Sequence, residues 1–204
     1  MRLCFSVMAV CVWVVGCCAG FWLLYRYELT PCPSAQPPAK SMTSWSKAKQ
    51  PGQLSLVVFA HPKCPCTRAT LGELDRLMAR CVNKVSAIVF FYKPSGYTDN
   101  WSHTDLWKHA EAIPGVQPRV DTDGIEAQRA GAVTSGQAIL MDKDGLILFC
   151  GGLTSGRGHA GDNSGSASIY SFITTGRSPV KRTPVFGCSL VETKRISTGN
   201  KDGL

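Results

Sequence analysis

Acidic residues are scarce in this chain: 14 Asp and Glu stand against 22 Lys and Arg among 204 residues, for a formal net charge of +8. Such an excess invites a nucleic-acid or anionic-surface reading. Its position argues otherwise. Residues 1–52 carry five bases and one acid, residues 176–204 carry six bases and two acids, and the stretch between them carries eleven of each sign. The body is neutral, no groove-reading motif accompanies the basic ends, and nucleic-acid binding is not expected. At this length the chain has no room for a large multidomain enzyme, so one globular domain with an appendage is expected.

Charge is missing altogether from Leu3 to Tyr25. These 23 residues, with Val10, Val12, Trp13, Val14, Val15, Phe21, Trp22, Leu23 and Leu24, are long enough as a helix to cross a bilayer core. Residues 1–27 therefore read as an uncleaved membrane anchor, with Trp22, Tyr25 and Tyr27 suited to the interface. A signal peptide competes, but its apolar region is shorter and ends at a small-x-small site that this segment lacks. Val14-Val15-Gly16-Cys17 also has the form of a lipobox, which leaves lipidation at Cys17 open. Arg2 lies on one side of the span and Arg26, Lys40, Lys47 and Lys49 on the other, so the positive-inside rule does not orient it. A short-headed span followed by a Pro-rich tether favours a single-pass protein of the inner (cell) membrane whose domain faces the periplasm or cell exterior. Residues 28–52, with Pro31, Pro33, Pro37 and Pro38, have no apolar periodicity and read as a semi-extended linker.

Beyond the linker, residues 53–176 alternate strand and helix signals. Leu54–Ala60 (LSLVVFA) is a short apolar run of β-formers, the pattern of a buried parallel strand. His61-Pro62-Lys63-Cys64-Pro65-Cys66-Thr67 makes a turn. Leu71, Leu74, Leu77 and Met78 then recur at helical spacing, and Thr70 with Glu73 has the form of a capping box, predicting a helix from Thr67 or Thr70 to Cys81. Val85–Tyr92 is a second buried strand, which completes a βαβ unit with a cysteine pair at the carboxyl end of its first strand. Short elements are predicted at 105–113, 118–121 and 124–130. Gln137–Met141, the turn Asp142-Lys143-Asp144-Gly145 and Leu146–Cys150 form an antiparallel hairpin, and Ser164–Thr175 a closing helix. Residues 177–204 are a basic tail carrying Cys188, with 194–204 expected to be disordered.

Ten cysteines divide evenly, with Cys4, Cys11, Cys17, Cys18 and Cys32 before the domain and Cys64, Cys66, Cys81, Cys150 and Cys188 from it onward. Five is odd, so a fully paired disulfide scaffold is excluded within one molecule. In the span cysteine serves as a small apolar residue, and Cys81 and Cys150 at element ends read as core thiols. Cys64 and Cys66 are different. Peptide dipoles at a helix amino terminus favour an anion and draw a thiol toward the nucleophilic thiolate, with Lys63 and Arg68 adding positive potential and Thr67 beside the pair. Either cysteine of such a pair can attack a disulfide of a protein or small thiol while the other resolves the mixed disulfide. Cys188, in the apolar segment TPVFGCSL, is a candidate third thiol.

The order βαβ, hairpin, helix, together with VVFAHPKCPCTRATLGEL and GAVTSGQAILMDKDGLILFCGG, resembles the thioredoxin-like superfamily over residues 53–176. HPKCPCTRA, GGLTSGRGHAGDN and TPVFGCSL together look like small membrane-anchored bacterial thioredoxin-like (RedB-like) proteins. The resemblance implies an α/β thioredoxin-like three-layer sandwich behind a transmembrane helix, and a thiol-disulfide oxidoreductase that needs no cofactor. The sequence departs from the superfamily in two ways. It has Cys-x-Cys where thioredoxins have Cys-x-x-Cys, and no proline occurs between Pro118 and Pro179, so Thr134-Ser135-Gly136 stands where they place a cis-proline.

Rival readings use the same residues. Two thiolates with His61, and His159 or Cys188 completing the shell, suit copper or zinc binding and delivery. The superfamily's copper-delivering members, however, have Cys-x-x-x-Cys and a histidine before the hairpin, where Val133-Thr134-Ser135 has none. A peroxiredoxin's nucleophile follows a Thr or Ser three residues back, and His61 and Lys63 occupy those places here. Gly156-Arg157-Gly158-His159-Ala160-Gly161 matches G-x-G-x-x-G, but it follows a hairpin strand and lacks the acidic ribose partner some twenty residues on. It reads instead as a glycine loop able to cover the cysteine pair. His103 and His109 read as surface or packing residues, and a redox-dead interaction module is the remaining class.

Overall fold

The computed structural model describes residues 2–33, 45 and 53–190. The predicted disorder of 194–204, and most of the linker, lie outside the described residues. In chain order the elements are α1 (Arg2–Leu29), β1 (Leu54–Ala60), α2 (Pro65–Arg80), β2 (Val85–Lys93), α3 (Asp105–Ala112), β3 (Val116–Thr122), α4 (Ile125–Arg129), β4 (Gln137–Met141), β5 (Ile147–Gly152) and α5 (Ser164–Thr175).

Five strands form one sheet in the order β3-β2-β1-β4-β5. β1 runs parallel to β2, with Val57 opposite Ile88, and β2 parallel to β3. β4 lies antiparallel to β1 and to β5. Because side chains alternate across a strand, the continuous apolar runs of β1, β2 and β4 must be covered on both faces. On one face Leu56, Val58, Val89, Phe91 and Leu140 pack with Leu71, Leu74 and Leu77 of α2, Leu106 and Ala110 of α3, and Ile169 and Phe172 of α5. The opposite face has Val57, Phe59, Ile88, Phe90, Ile139 and Met141. It is closed by Ala127 of α4, by Leu190 from the tail and by Trp45, whose ring meets Phe59 edge-on at 5.8 Å.

Trp45 Nε1 donates to Glu126 Oε2 at 2.7 Å, so at this point the segment expected to be a tether is part of the core. The capping box predicted from Thr70 and Glu73 does not form, because α2 begins five residues earlier at Pro65. Thr70 instead donates back to the Cys66 carbonyl, and the buried Glu73 carboxylate accepts from Gly161 N and Asn163 Nδ2 and pairs with Arg76. The tail also departs from the sequence expectation, because residues 181–190 are paired to the domain as a strap.

α1 is long and apolar enough to cross a membrane, and its side chains are not buried against the domain over Cys4–Leu29. Its last residues do touch the domain. Arg157 N donates to the Glu28 carbonyl at 3.0 Å, the Arg157 guanidinium lies 4.8 Å from the Tyr27 ring centroid, and His159 pairs with Glu28 at 3.0 Å.

Candidate active site

β1 delivers the chain at Ala60 into the turn His61-Pro62-Lys63, and α2 starts immediately after Cys64. Cys64 is the N-cap, extended at φ −91° and ψ 121°, and Pro65 takes the first helical position. Proline is suited to that place because its missing N–H would have no intrahelical partner there. The local sequence thus fixes one cysteine at the end of the helix dipole and the next, Cys66, inside the first turn.

The Cys64 sulfur is buried and lies 2.7 Å from that of Cys188, to which it is hydrogen-bonded. Burial pushes the Cys64 thiol up, but the hydrogen bond with Cys188 and the backbone amides of Cys188, Thr67 and Cys66 outweigh it, leaving Cys64 below the ordinary thiol value. Cys66 is raised, first by burial and then by the nearby Cys64 charge. Cys188 is an exposed residue, yet its thiol is pushed up to about 12, by desolvation of the sulfur against the site, by its hydrogen bond to Cys64 and by the charges of Cys64 and Cys66. Of the three sulfurs, Cys64 is therefore the one that ionises most readily.

Cys188 arrives on the strap. Cys150 N donates to the Lys181 carbonyl at 3.0 Å, Gly152 N to that of Pro184 at 3.2 Å, and Thr183 Oγ1 to that of Gly152 at 3.0 Å. Farther on, Ser135 N donates to the Cys188 carbonyl at 2.8 Å and Leu190 N to that of Val133 at 2.9 Å. Close approach requires glycine at the contacts. A Cβ at Gly151 would sit 2.3 Å from Thr183 Oγ1, and one at Gly187 would sit 2.0 Å from the Ser135 carbonyl oxygen. The Thr134-Ser135-Gly136 stretch, which has no proline and no cis bond, is thus the platform on which the strap lies.

The residues expected to support the pair are placed as follows. Thr67 Oγ1 donates to the His61 carbonyl at 3.1 Å and lies 2.9 Å from Ser135 Oγ, tying the start of α2 to the platform. Lys63 Nζ lies over the Trp101 ring, 4.5 Å from its centroid, and Arg68 pairs with Asp105. Among the charges acting on the sulfurs, the cation is Arg157, which opposes the rise of both Cys66 and Cys188. Sequence reading placed Arg157 only inside a glycine loop and missed this role. Glycines at the close contacts, Gly151 against Thr183 and Gly187 against Ser135, were the available signal for the strap. The loop does reach the pair, through the Gly158 amide acting on Cys66, and Glu73 holds its far end.

His61 does not face the sulfurs through Nδ1, which accepts from Lys63 N at 3.2 Å, and its ring lies against Tyr92 and Trp101. His159 is engaged with Glu28. Among the described residues no group of three or more His, Cys, Asp or Glu is arranged to hold a metal ion. Cys81 and Cys150 are buried, with burial raising Cys81 and pushing Cys150 up to about 11, in keeping with core thiols. His103 lies against Trp107, 4.1 Å between ring centroids, a packing role. A cavity of about 750 Å³ lined by Asp75, Met78, Cys81, Val85, Gly115 and Gln117 opens at the amino ends of β2 and β3, the opposite end of these strands from Cys64.

A parallel β1-α2-β2 unit, an antiparallel β4-β5 hairpin beside β1, a closing α5 and a cysteine capping the helix after β1 make this a thioredoxin-like fold. Solved structures share the overall fold. A conserved protein from Geobacillus kaustophilus is similar at a TM-score of 0.57 with 20% identity, covering 80% of this chain and 92% of its own. A protein from Sinorhizobium meliloti is similar at 0.57 with 15% identity, covering 80% and 94%. The exposed lipoprotein thioredoxin of Streptococcus pneumoniae matches at 0.43 with 16% identity, over 60% and 84%. No family model matches the chain, and no curated protein matches it. None of these comparisons singles out the RedB-like proteins.

Proposed function

We propose that this chain is a membrane-anchored thiol-disulfide oxidoreductase that works outside the cytoplasm. The observation that carries the reading is the Cys64 sulfur, held at a helix N-cap with its pKa lowered and with a second thiol 2.7 Å away. Cys64 attacks a substrate disulfide as the thiolate, joining one substrate sulfur and expelling the other as a thiolate. Two of the causes that keep Cys188 protonated, its hydrogen bond to Cys64 and the Cys64 charge, vanish in that mixed disulfide. Cys188 then loses its proton, attacks the Cys64 sulfur and releases the second substrate thiol. The substrate disulfide has gained two electrons and the protein holds a Cys64–Cys188 disulfide. Cys66 is the second resolving thiol, and the same steps reversed oxidise a substrate dithiol.

α1 serves as the single-pass anchor, and protein disulfides or small disulfides are the substrates. The competing reading is a copper or zinc carrier that uses the same cysteines. Titrating the reduced chain across a graded redox buffer, with and without copper or zinc, separates the two by alkylation and mass spectrometry. Reversible loss of two alkylation sites including Cys64, without metal, supports the oxidoreductase. Protection of the cysteines only at stoichiometric metal overturns it.

A further inference from the structure

The segment that leaves the membrane helix is built into the site. Cys32 N donates to the Val185 carbonyl at 2.9 Å, Thr134 Oγ1 donates to the Pro33 carbonyl at 2.8 Å, and Arg157 Nη2 donates to the Cys32 sulfur at 2.8 Å. Cys32 Sγ in turn donates to the Gly187 carbonyl at 3.1 Å, and Arg157 Nη1 donates to the same oxygen at 2.7 Å. That carbonyl belongs to the peptide bond leading directly into Cys188. With standard peptide dimensions its oxygen lies about 2.8 Å from the next Cα, so the Cys32 sulfur is at most about 6 Å from Cys188 Cα. The Cys188 sulfur is also 2.7 Å from that of Cys64. The strap backbone is pinned before and after Cys188, at Val185 and Leu190, so the sulfur can turn about its own side chain while its Cα stays in place.

We propose that Cys32 is a redox-active thiol of this site and takes over the disulfide from Cys64, so that Cys188 carries it from the helix cap to the foot of the membrane anchor. This inference rests on the oxidoreductase reading. In the step itself the Cys32 thiolate attacks the Cys188 sulfur of the Cys64–Cys188 disulfide. Cys32 first gives its thiol proton to solvent; the Cys32–Cys188 bond then forms, the Cys64–Cys188 bond breaks, and Cys64 leaves as a thiolate that can take a proton up again, with no net change in electrons. Attack falls on the Cys188 sulfur because the Cys32 sulfur lies within about 6 Å of Cys188 Cα, and the amides of Thr67 and Cys66 remain to receive the departing Cys64 thiolate. Cys64 is then free for another substrate disulfide, while the oxidised pair waits for a thiol reductant reaching the end of α1.

The test uses the reduced full chain in detergent micelles, given one equivalent of oxidised glutathione, quenched with acid at intervals, alkylated and mapped by mass spectrometry. The expected order is a Cys64–Cys188 disulfide first, then Cys32–Cys188 with Cys64 again alkylated. In Cys32→Ser the Cys64–Cys188 disulfide should persist instead of decaying. Cys32 staying alkylated throughout in the unmodified chain, while Cys64 is held in a disulfide, overturns the transfer and leaves the oxidoreductase reading standing. Cys32–Cys188 forming as fast in Cys64→Ser as in the unmodified chain also overturns it, because that bond would then arise without Cys64. If Cys64 enters no disulfide at any time, both readings fall.

Discussion

At the N-cap of α2, Cys64 has a lowered pKa although it is buried, because the amides around it and the Cys188 thiol all favour the anion. Two consequences can be measured. The rate of Cys64 alkylation against pH should show a midpoint below the ordinary thiol value of 9.0, and Cys188→Ala, which removes the hydrogen bond between the two sulfurs, should move that midpoint upward. Stability follows the same shifts. A group lowered on folding stabilises the fold above its unfolded pKa and loses that contribution as pH falls through the folded value, which is the case of Cys64. Cys150 and Cys188, raised to about 11 and about 12, act the other way: their contribution is complete below the ordinary value and is lost as pH rises toward those numbers. The reduced protein should therefore lose denaturant resistance between pH 9.0 and about 11, and the loss should be smaller in Cys150→Ala measured against its own stability at neutral pH.

Two elements decide how closed the site is. The strap is held by backbone pairing against β5 and the 133–135 platform, and its closest contact is Gly187 against Ser135. Gly187→Ala must push the strap off that platform, since no side chain tolerates a carbon 2.0 Å from a carbonyl oxygen. The expected result is faster alkylation of Cys188, faster proteolysis within 181–190 and a lowered thermal midpoint, because Val185, Phe186 and Leu190 of the strap are buried. The glycine loop depends on Glu73, a buried carboxylate that accepts from Gly161 and Asn163 while also pairing with Arg76. Glu73→Ala leaves those donors without their acceptor, and amide hydrogen exchange across 156–163 should rise while β1 and β2 stay protected.

On the scale of the whole molecule, the two-sided sheet is the source of stability and the termini are what complete the site. Phe59 is wholly buried between Trp45 and Phe90, with ring centroids 5.8 and 5.7 Å away, and Phe59→Ala should cost about 3–5 kcal/mol in denaturant unfolding. Trp45, Cys32 and Leu190 all lie outside the strands and helices, yet Trp45 and Leu190 pack into the core and Cys32 is hydrogen-bonded to the strap. The foot of α1 reaches the glycine loop through Tyr27, Glu28 and Leu29, so the cysteines stand beside the end of the apolar helix and not at the far side of the domain.

Local pattern was enough for most of the elements. The apolar runs of β1 and β2, the helical spacing of Leu71, Leu74 and Leu77, and the Asp-Gly turn of the hairpin each state their own conformation through side-chain period and backbone preference, and the residues 164–175 form the expected closing helix. The cysteine at the helix start was legible for the same reason, since Cys64-Pro65 marks a helix entry within three residues. Start positions were less secure: Thr70 and Glu73 have the form of a cap, and only the packing of α2 against the glycine loop gave Glu73 its different use. What the sequence could not reveal is which thiol faces Cys64. Cys66 is two residues away in the chain, while Cys188 is 124 residues away and Cys32 follows the apolar helix α1. They meet through hydrogen bonds between distant backbones at glycines that admit close approach, and such contacts leave no periodic trace in the chain.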